Sequence, residues 1–294
     1  MNIHYGKIGD VWKHLPLAQI LSIEKPKYYW DSHSGSAVYT LTHSWERDYG
    51  VYYFLENAGQ SLSLCSSRYY NLLNDLRQND DTLPIYPGSP GIAILLLGRE
   101  ANYLFCDTDG QSLDNIREFV VSQNVPDSKV KCVQNDGVLS IQNEFSQLSL
   151  SSATDLFIHI DPYDPFKKSP VGISALDLFC NFTLLGAKTM LWYGFHSSDS
   201  QALARELFKG SFNAYHIESL TPQLWCGEIV LREIDNPDFT ICPGINGCGI
   251  ICGNLSGKSK KMCTELGHEL QKIYQNACLP KSFSGALDFI TVTL

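Results

Sequence analysis

The stretch DLFIHIDPYDPF, residues 155–166, decides the fold. Its first half is an apolar run of the kind that makes a buried parallel strand. That run stops at Asp161-Pro162-Tyr163, with a second Asp-Pro-aromatic, Asp164-Pro165-Phe166, directly behind it. Proline has no amide hydrogen for the ladder, so the chain leaves the sheet and the carboxylate of Asp161 stands at the strand's C-terminal edge. In open α/β sheets that edge is where ligands bind.

Working outward, the same design recurs. YYWD (28–31), NYLFCD (102–107), SKVKCVQNDG (128–137) and AKTMLWYGF (187–195) read as further strands. Helical patterns separate them: SLDNIREFVV (112–121), ISALDLFCNFTLL (173–185) and DSQALARELFKG (199–210). Strands alternating with helices predict a mostly parallel sheet with right-handed crossovers and helices on both faces. An amphipathic helix opens the chain, because Val11, Trp12, Leu15, Ala18 and Leu21 recur at helical spacing. Residues 44–85 break the rhythm with a long polar and helical stretch, read as a helical insertion subdomain between 1–43 and 86–294 of the main domain. Beyond residue 211 the pattern turns β-rich, with AYHIESL (214–220), CGEIVLREI (226–234) and GCGIICGN (247–254) as strand candidates.

The 294 residues are 44% hydrophobic and 12% aromatic, ample for a real core. The formal charge of −9 argues against a broad nonspecific grip on nucleic acid, and SGKSKK (256–261) is the one dense basic cluster. Ten cysteines scattered through a large α/β-like chain read as reduced, mostly buried thiols. No segment approaches the ~18 consecutive apolar residues that span a bilayer, and the polar N-terminus lacks a signal-peptide stretch, so a cytosolic (cytoplasmic) protein with no membrane partner is expected.

Four successive strand ends carry an acid: Asp31, Asp107, Asp136 in the turn after its strand, and Asp161. Any one of these is ordinarily a helix cap or turn residue. In series they suggest a nucleoside site, where the first turn approaches the cofactor, the second acid takes the ribose hydroxyls, an Asp-Gly suits the adenine and the fourth acid faces the substrate.

The motifs GDVWKH, WDSHSGSAVY, YPGSP, NDG, IDPY and LWYGF, in this order up to about residue 220, resemble those of the bacterial large-subunit ribosomal RNA adenine-N6-methyltransferase J family. Some of its members are also described as proteins for using external DNA as a nutrient. The resemblance implies a Rossmann-like class I S-adenosylmethionine-dependent methyltransferase fold, with S-adenosylmethionine over the strand ends and ribosomal RNA as substrate for a monomer. By matching position it implies cofactor contacts from His14, His33, Ser89, Asp107, Asp136 and Gly137, with Lys13 beside them. Gly35 would let the backbone approach the methionine moiety. Asp107 stands where the family has Glu, and Ala37 where it has a second glycine.

An exocyclic adenine amine is a poor nucleophile because its lone pair is delocalised into the ring. In the implied mechanism Asp161 and the carbonyl of Pro162 accept its two N–H bonds, and an aromatic ring stacks on the extruded base. The family reads Asp-Pro-Pro-Tyr, whereas this chain reads Asp-Pro-Tyr-Asp. Either Tyr163 fills the stacking place after a one-residue deletion, or Phe166 does, or the site no longer binds adenine productively. The rival readings are transfer to DNA or another nucleic acid, and a degenerate, non-catalytic protein linked to use of external DNA.

Other features have bland readings. GNLSGKS (253–259) has three residues between its glycines where a phosphate loop has four, and reads as a solvated turn. Cys248 and Cys252 share a strand face and read as core, with no metal site expected. His159 reads as a satisfied core histidine, and Trp12 and the Tyr69-Tyr70 pair as packing residues.

Overall fold

A computed structural model of the chain describes residues 5–77, 82–147, 153–169, 172–215, 224–236, 245–280 and 283–294. The chain opens with α1 (Ile8–Glu24), β1 (Tyr28–Asp31) and β2 (Val38–Thr40), then the short helices α2 (Trp45–Arg47), α3 (Tyr53–Asn57), α4 (Leu62–Cys65) and α5 (Arg68–Asp75). After β3 (Ile85–Pro87) and α6 (Ser89–Leu97) come β4 (Asn102–Asp107), α7 (Gly110–Ser122), β5 (Val130–Gln134), α8 (Gly137–Gln147) and β6 (Leu156–Ile160). The C-terminal half adds α9 (Ala175–Leu184), β7 (Lys188–Phe195), α10 (Ser198–Ala214), β8 (Trp225–Leu231), β9 (Gly247–Gly253), α11 (Gly257–Tyr274) and β10 (Leu287–Thr291).

Eight strands form one sheet in the order β10-β8-β9-β7-β6-β1-β4-β5. β5, β4, β1, β6 and β7 are parallel, while β9 runs antiparallel between β7 and β8, and β10 is antiparallel to β8. The chain leaves β1 toward β4 and β5, then returns to the other side of β1 for β6 and β7. The topological switch point therefore lies between β1 and β6, where a doubly wound sheet opens its ligand crevice. This is the Rossmann-like, mostly parallel α/β architecture with helices on both faces that the resemblance implies.

Strand alternation builds two cores. Tyr29, Phe105 and Phe157 face a cluster with α1, α5, α6, α7 and α11, whereas Trp30, Cys106 and Ile158 face α8, α9 and α10. The same alternation turns Asp31, His159 and Asp161 toward α1.

The segment read as an insertion is helical, and the antiparallel ribbon of β2 and β3 ties its two ends together. Its apolar residues Val51, Phe54, Leu64, Tyr69 and Leu73 are fully buried in the cluster that contains Trp12 and Leu15 of α1. The expected strand at AYHIESL falls mostly outside the described residues, and Ala214 is the end of α10. The nine cysteines among the described residues are all free thiols. Among the described residues no helix is long and apolar enough to cross a membrane.

Candidate active site

β1 ends in Asp31, and this carboxylate is fully buried. Its Oδ2 accepts hydrogen bonds from Ser89 (2.8 Å), the His159 Nδ1 (3.0 Å) and the Tyr29 hydroxyl (3.1 Å), while Oδ1 accepts the His33 amide at 3.3 Å. Burial pushes the Asp31 carboxyl up, but the attraction of the His159 imidazole and the bonds from His159, Ser89 and Tyr29 together hold it below its ordinary value. Asp31 thus ties the start of α6 and the end of β6 to β1. Asp31 and His159 are direct partners in the parallel register.

Beyond Asp31 the chain turns across the strand ends. Gly35 adopts φ +60°, and a Cβ there would stand 2.5 Å from the Tyr39 hydroxyl, so glycine is required twice over. Its amide donates to Asp107 Oδ2 at 2.8 Å, and Asp109 donates its amide to Asp107 Oδ1 at 2.8 Å. Each Asp107 oxygen keeps acceptor capacity beyond the one amide it receives. Gly137, the first residue of α8, has its own steric reason: a Cβ would lie 1.6 Å from the Ser32 carbonyl oxygen.

On the α1 side, Lys13 Nζ lies 2.6 Å from Asp161 Oδ2, 3.0 Å from Asp10 Oδ1 and 5.8 Å from the centre of the Trp192 ring. Burial opposes the charge on Lys13, yet Asp161 and Asp10 outweigh it and raise the ammonium above its usual range. For Asp10 burial prevails over the attraction of Lys13, and its carboxyl is raised. His14 shares its Nδ1 with the Tyr86 hydroxyl at 2.8 Å, and Tyr86 in turn meets the Tyr69 hydroxyl at 2.9 Å. Burial, with Lys13 and His159 nearby, holds His14 well below the ordinary histidine range; burial likewise lowers His33 against the pull of Asp161 and Asp31. Both imidazoles are neutral at neutral pH.

A cavity of about 50 Å³ gathers these groups: Lys13, His14, His33, Gly35, Ser89 and Asp161 all line it, together with Asp10, Tyr39 and Tyr86. Six residues singled out from the sequence thus converge, drawn from α1, the β1 loop, α6 and the end of β6. Tyr5 also lines it, stacked on Tyr39 with ring centres 4.6 Å apart, and the Arg47 guanidinium covers Tyr5.

The remaining candidates sit elsewhere. Asp107 stands behind Gly35 rather than in the cavity wall. Asp136 caps α8, with its Oδ1 accepting the Leu139 amide at 2.9 Å. Ser89, itself in the cavity wall, has its hydroxyl committed to Asp31. Pro162 is buried, whereas Tyr163 is 94% exposed. Phe166 packs against the second core, 5.1 Å from the Phe208 ring, which removes it from any stacking role in this arrangement.

The bland readings fare unevenly. In GNLSGKS the Glu24 carboxylate fills the N-terminus of α11, accepting from the Ser256 amide and the Ser259 hydroxyl, where a phosphate loop would hold its anion. Cys248 and Cys252 are buried in one core, and no metal-binding group is found among the described residues. Trp12 and Tyr69 are fully buried packing residues. His159 is only half satisfied: Nδ1 bonds Asp31, while its buried Nε2 has no partner. Asp10, Tyr39 and the Asp31–His159–Ser89 contact were not singled out from the sequence. Asp10 precedes Lys13 by one helical turn, the i,i+3 spacing at which side chains meet on a helix.

No family model matches the chain, and no curated protein matches it. Among solved structures, a Legionella pneumophila protein of the DUF519 family is similar over 99% of this chain and 98% of its own, with a TM-score of 0.71 and 20% identity. An O-methyltransferase from Bacillus cereus in complex with SAH aligns over 82% of this chain and 80% of its own, at a TM-score of 0.41 and 9% identity. An rRNA methylase from Streptococcus thermophilus aligns over 83% and 95%, at 0.39 and 8%. The Legionella structure shows a fold shared along the whole chain; the two fainter likenesses carry no further argument.

Proposed function

We propose that this chain is an S-adenosylmethionine-dependent methyltransferase that methylates N6 of adenine in large-subunit ribosomal RNA. The observation that carries the reading is Asp161, set at the switch point between β1 and β6 with its carboxylate oriented by Lys13 and followed by the exposed Tyr163. When bound, the cofactor supplies an electrophilic methyl group. The residues present suit it: Asp107 has free lone pairs for the ribose hydroxyls, and Gly35 and Gly137 keep side chains off the strand ends. The cavity of about 50 Å³ is far below the roughly 300–1,000 Å³ of a small-molecule pocket, so in this reading it takes only the reacting groups and not a whole nucleoside.

The chain's own part is to hold the base. Asp161 and the Pro162 carbonyl accept the two amine N–H bonds and favour a pyramidal nitrogen, and Tyr163 offers an uncovered ring for stacking. Lys167 and Lys168, exposed in the same loop, give phosphates a local contact that the net charge of −9 does not provide.

Calorimetric titration with S-adenosylmethionine, followed by incubation with tritiated cofactor and unmodified ribosomal RNA or single-stranded DNA, tests the proposal. Stoichiometric cofactor binding and label recovered as N6-methyladenosine from RNA are expected. Label recovered only from DNA would reassign the substrate. Absence of cofactor binding would overturn the reading.

A further inference from the structure

Asp161 does not meet Lys13 alone. The ammonium lies between two carboxylates, 2.6 Å from Asp161 and 3.0 Å from Asp10, and the three side chains are 18%, 11% and 12% exposed in the order Asp161, Lys13, Asp10. Asp10 lies in the first turn of α1, so the helix backbone fixes it one turn before Lys13. The Trp192 ring backs the ammonium on another side. A single cation is thus shared by two largely buried acids.

We infer that Asp10 is a positioning residue that keeps Asp161 able to accept a proton, by retaining the charge of Lys13 when Asp161 becomes neutral. The inference rests on the proposed role of Asp161 toward the adenine amine. In that reaction the nitrogen lone pair forms the N–CH3 bond while the sulfur–methyl bond breaks and its pair goes to sulfur. The alkylated nitrogen then sheds one proton, and an Asp161 oxygen takes it. With Asp10 present, Lys13 stays paired throughout. Without it, protonating Asp161 would leave an uncompensated buried cation, which opposes the transfer.

The other groups around Asp161 do not supply this balance. From α1, His14 is held neutral; from β1 and its loop, His33 is held neutral and burial raises the Tyr29 hydroxyl. Asp31 and His159 are closed on each other. Asp164, Lys167 and Lys168 lie in the exposed loop after Asp161. Lys13 and Asp10 remain as the charges acting within the cavity.

The test is a carbon-13 carboxylate NMR titration of the full chain, with the Asp161 signal assigned through Asp161→Asn. Asp10→Asn keeps the shape and removes the charge, so Asp161 becomes the sole partner of Lys13 and its midpoint should fall by about one pH unit. Asp10→Glu should restore most of the shift, and unfolding temperatures of all variants are compared to confirm that they fold. In the methyl-transfer assay the acid limb of the kcat profile should move down with the NMR midpoint, over a lower plateau. A merely structural role for Asp10 would change the rate without moving either midpoint. An unchanged or raised Asp161 midpoint in a folded Asp10→Asn protein overturns the inference whatever the activity. A lowered midpoint in a protein that methylates no adenine-containing RNA or DNA overturns instead the reading of Asp161 on which it rests.

Discussion

Asp31→Asn probes the contact that joins the two strands of the crevice. The carboxylate is fully buried, and three donors converge on Oδ2 while the His33 amide reaches Oδ1. An asparagine can place its carbonyl where Oδ2 stands and keep those three bonds, but as neutral ones, while its NH2 group then faces the His33 amide donor to donor. Bonds to charged groups contribute about 1.5–3 kcal/mol and neutral ones about 1 kcal/mol, so weakening three of them costs about 3 kcal/mol. At roughly 2–4 °C per kcal/mol for a chain of this size class, the unfolding temperature should fall by roughly 6–12 °C at pH 7. The pH dependence follows from the lowered Asp31 carboxyl. A depressed folded-state value means stability that is fully present above the unfolded-state value near ~4 and is lost as pH falls through the folded one. The gap between wild type and Asp31→Asn in urea denaturation should therefore be constant from about pH 6 to 8 and narrow below about pH 4. A gap under about 1 kcal/mol at pH 7, or one that widens in acid, would refute the argument.

Asp107→Ala removes an acceptor proposed for the ribose hydroxyls and the anchor of the Gly35 amide, so calorimetry should show S-adenosylmethionine affinity weakened by about 1.5–3 kcal/mol; unchanged affinity would take Asp107 out of the site. Tyr163→Ala should cost about 1–3 kcal/mol of RNA interaction in a binding assay, with cofactor affinity untouched. Phe166→Ala should behave oppositely, lowering stability in urea melts by about 2–4 kcal/mol through lost packing on Phe208, with RNA binding by the folded protein preserved. Excising residues 44–85 should abolish cooperative unfolding seen by circular dichroism, because Phe54, Leu64 and Tyr69 are buried with α1; a folded, cofactor-binding remainder would show the segment to be a separable cap.

β1 and β4 were legible residue for residue, because each is a short apolar run closed by an acid and then by turn residues. β2 and β3 were not, since three-residue strands are too short for any period to show. β10 escaped for a different reason: LDFIT lies at the edge, paired only with β8, and its outer residues are exposed, so its pattern resembles a loop. The ambiguity between Tyr163 and Phe166 could be resolved only by packing. The two rings are three residues apart in one polar loop, and what separates them is the Phe208 ring on α10, forty-two positions after Phe166 in the chain.

The site shows the same division between local and long-range information. Lys13, His14, Gly35 and Asp161, which line one cavity, could be named because each stands in a short motif of fixed local spacing. Asp10 could not be, since an acid in the first turn of a helix ordinarily serves only the helix dipole. What makes it part of the site is Lys13 one turn on, and what makes Lys13 matter is Asp161, 148 residues away. His159 follows the same logic: the imidazole meets Asp31 because parallel pairing sets residues 128 apart side by side at the switch point. Its other ring nitrogen, Nε2, is buried and without a hydrogen-bond partner. An apolar strand thus carries a polar pair at its C-terminal end, where a leucine would pack well but could not hold Asp31 beneath the turn that bears Gly35.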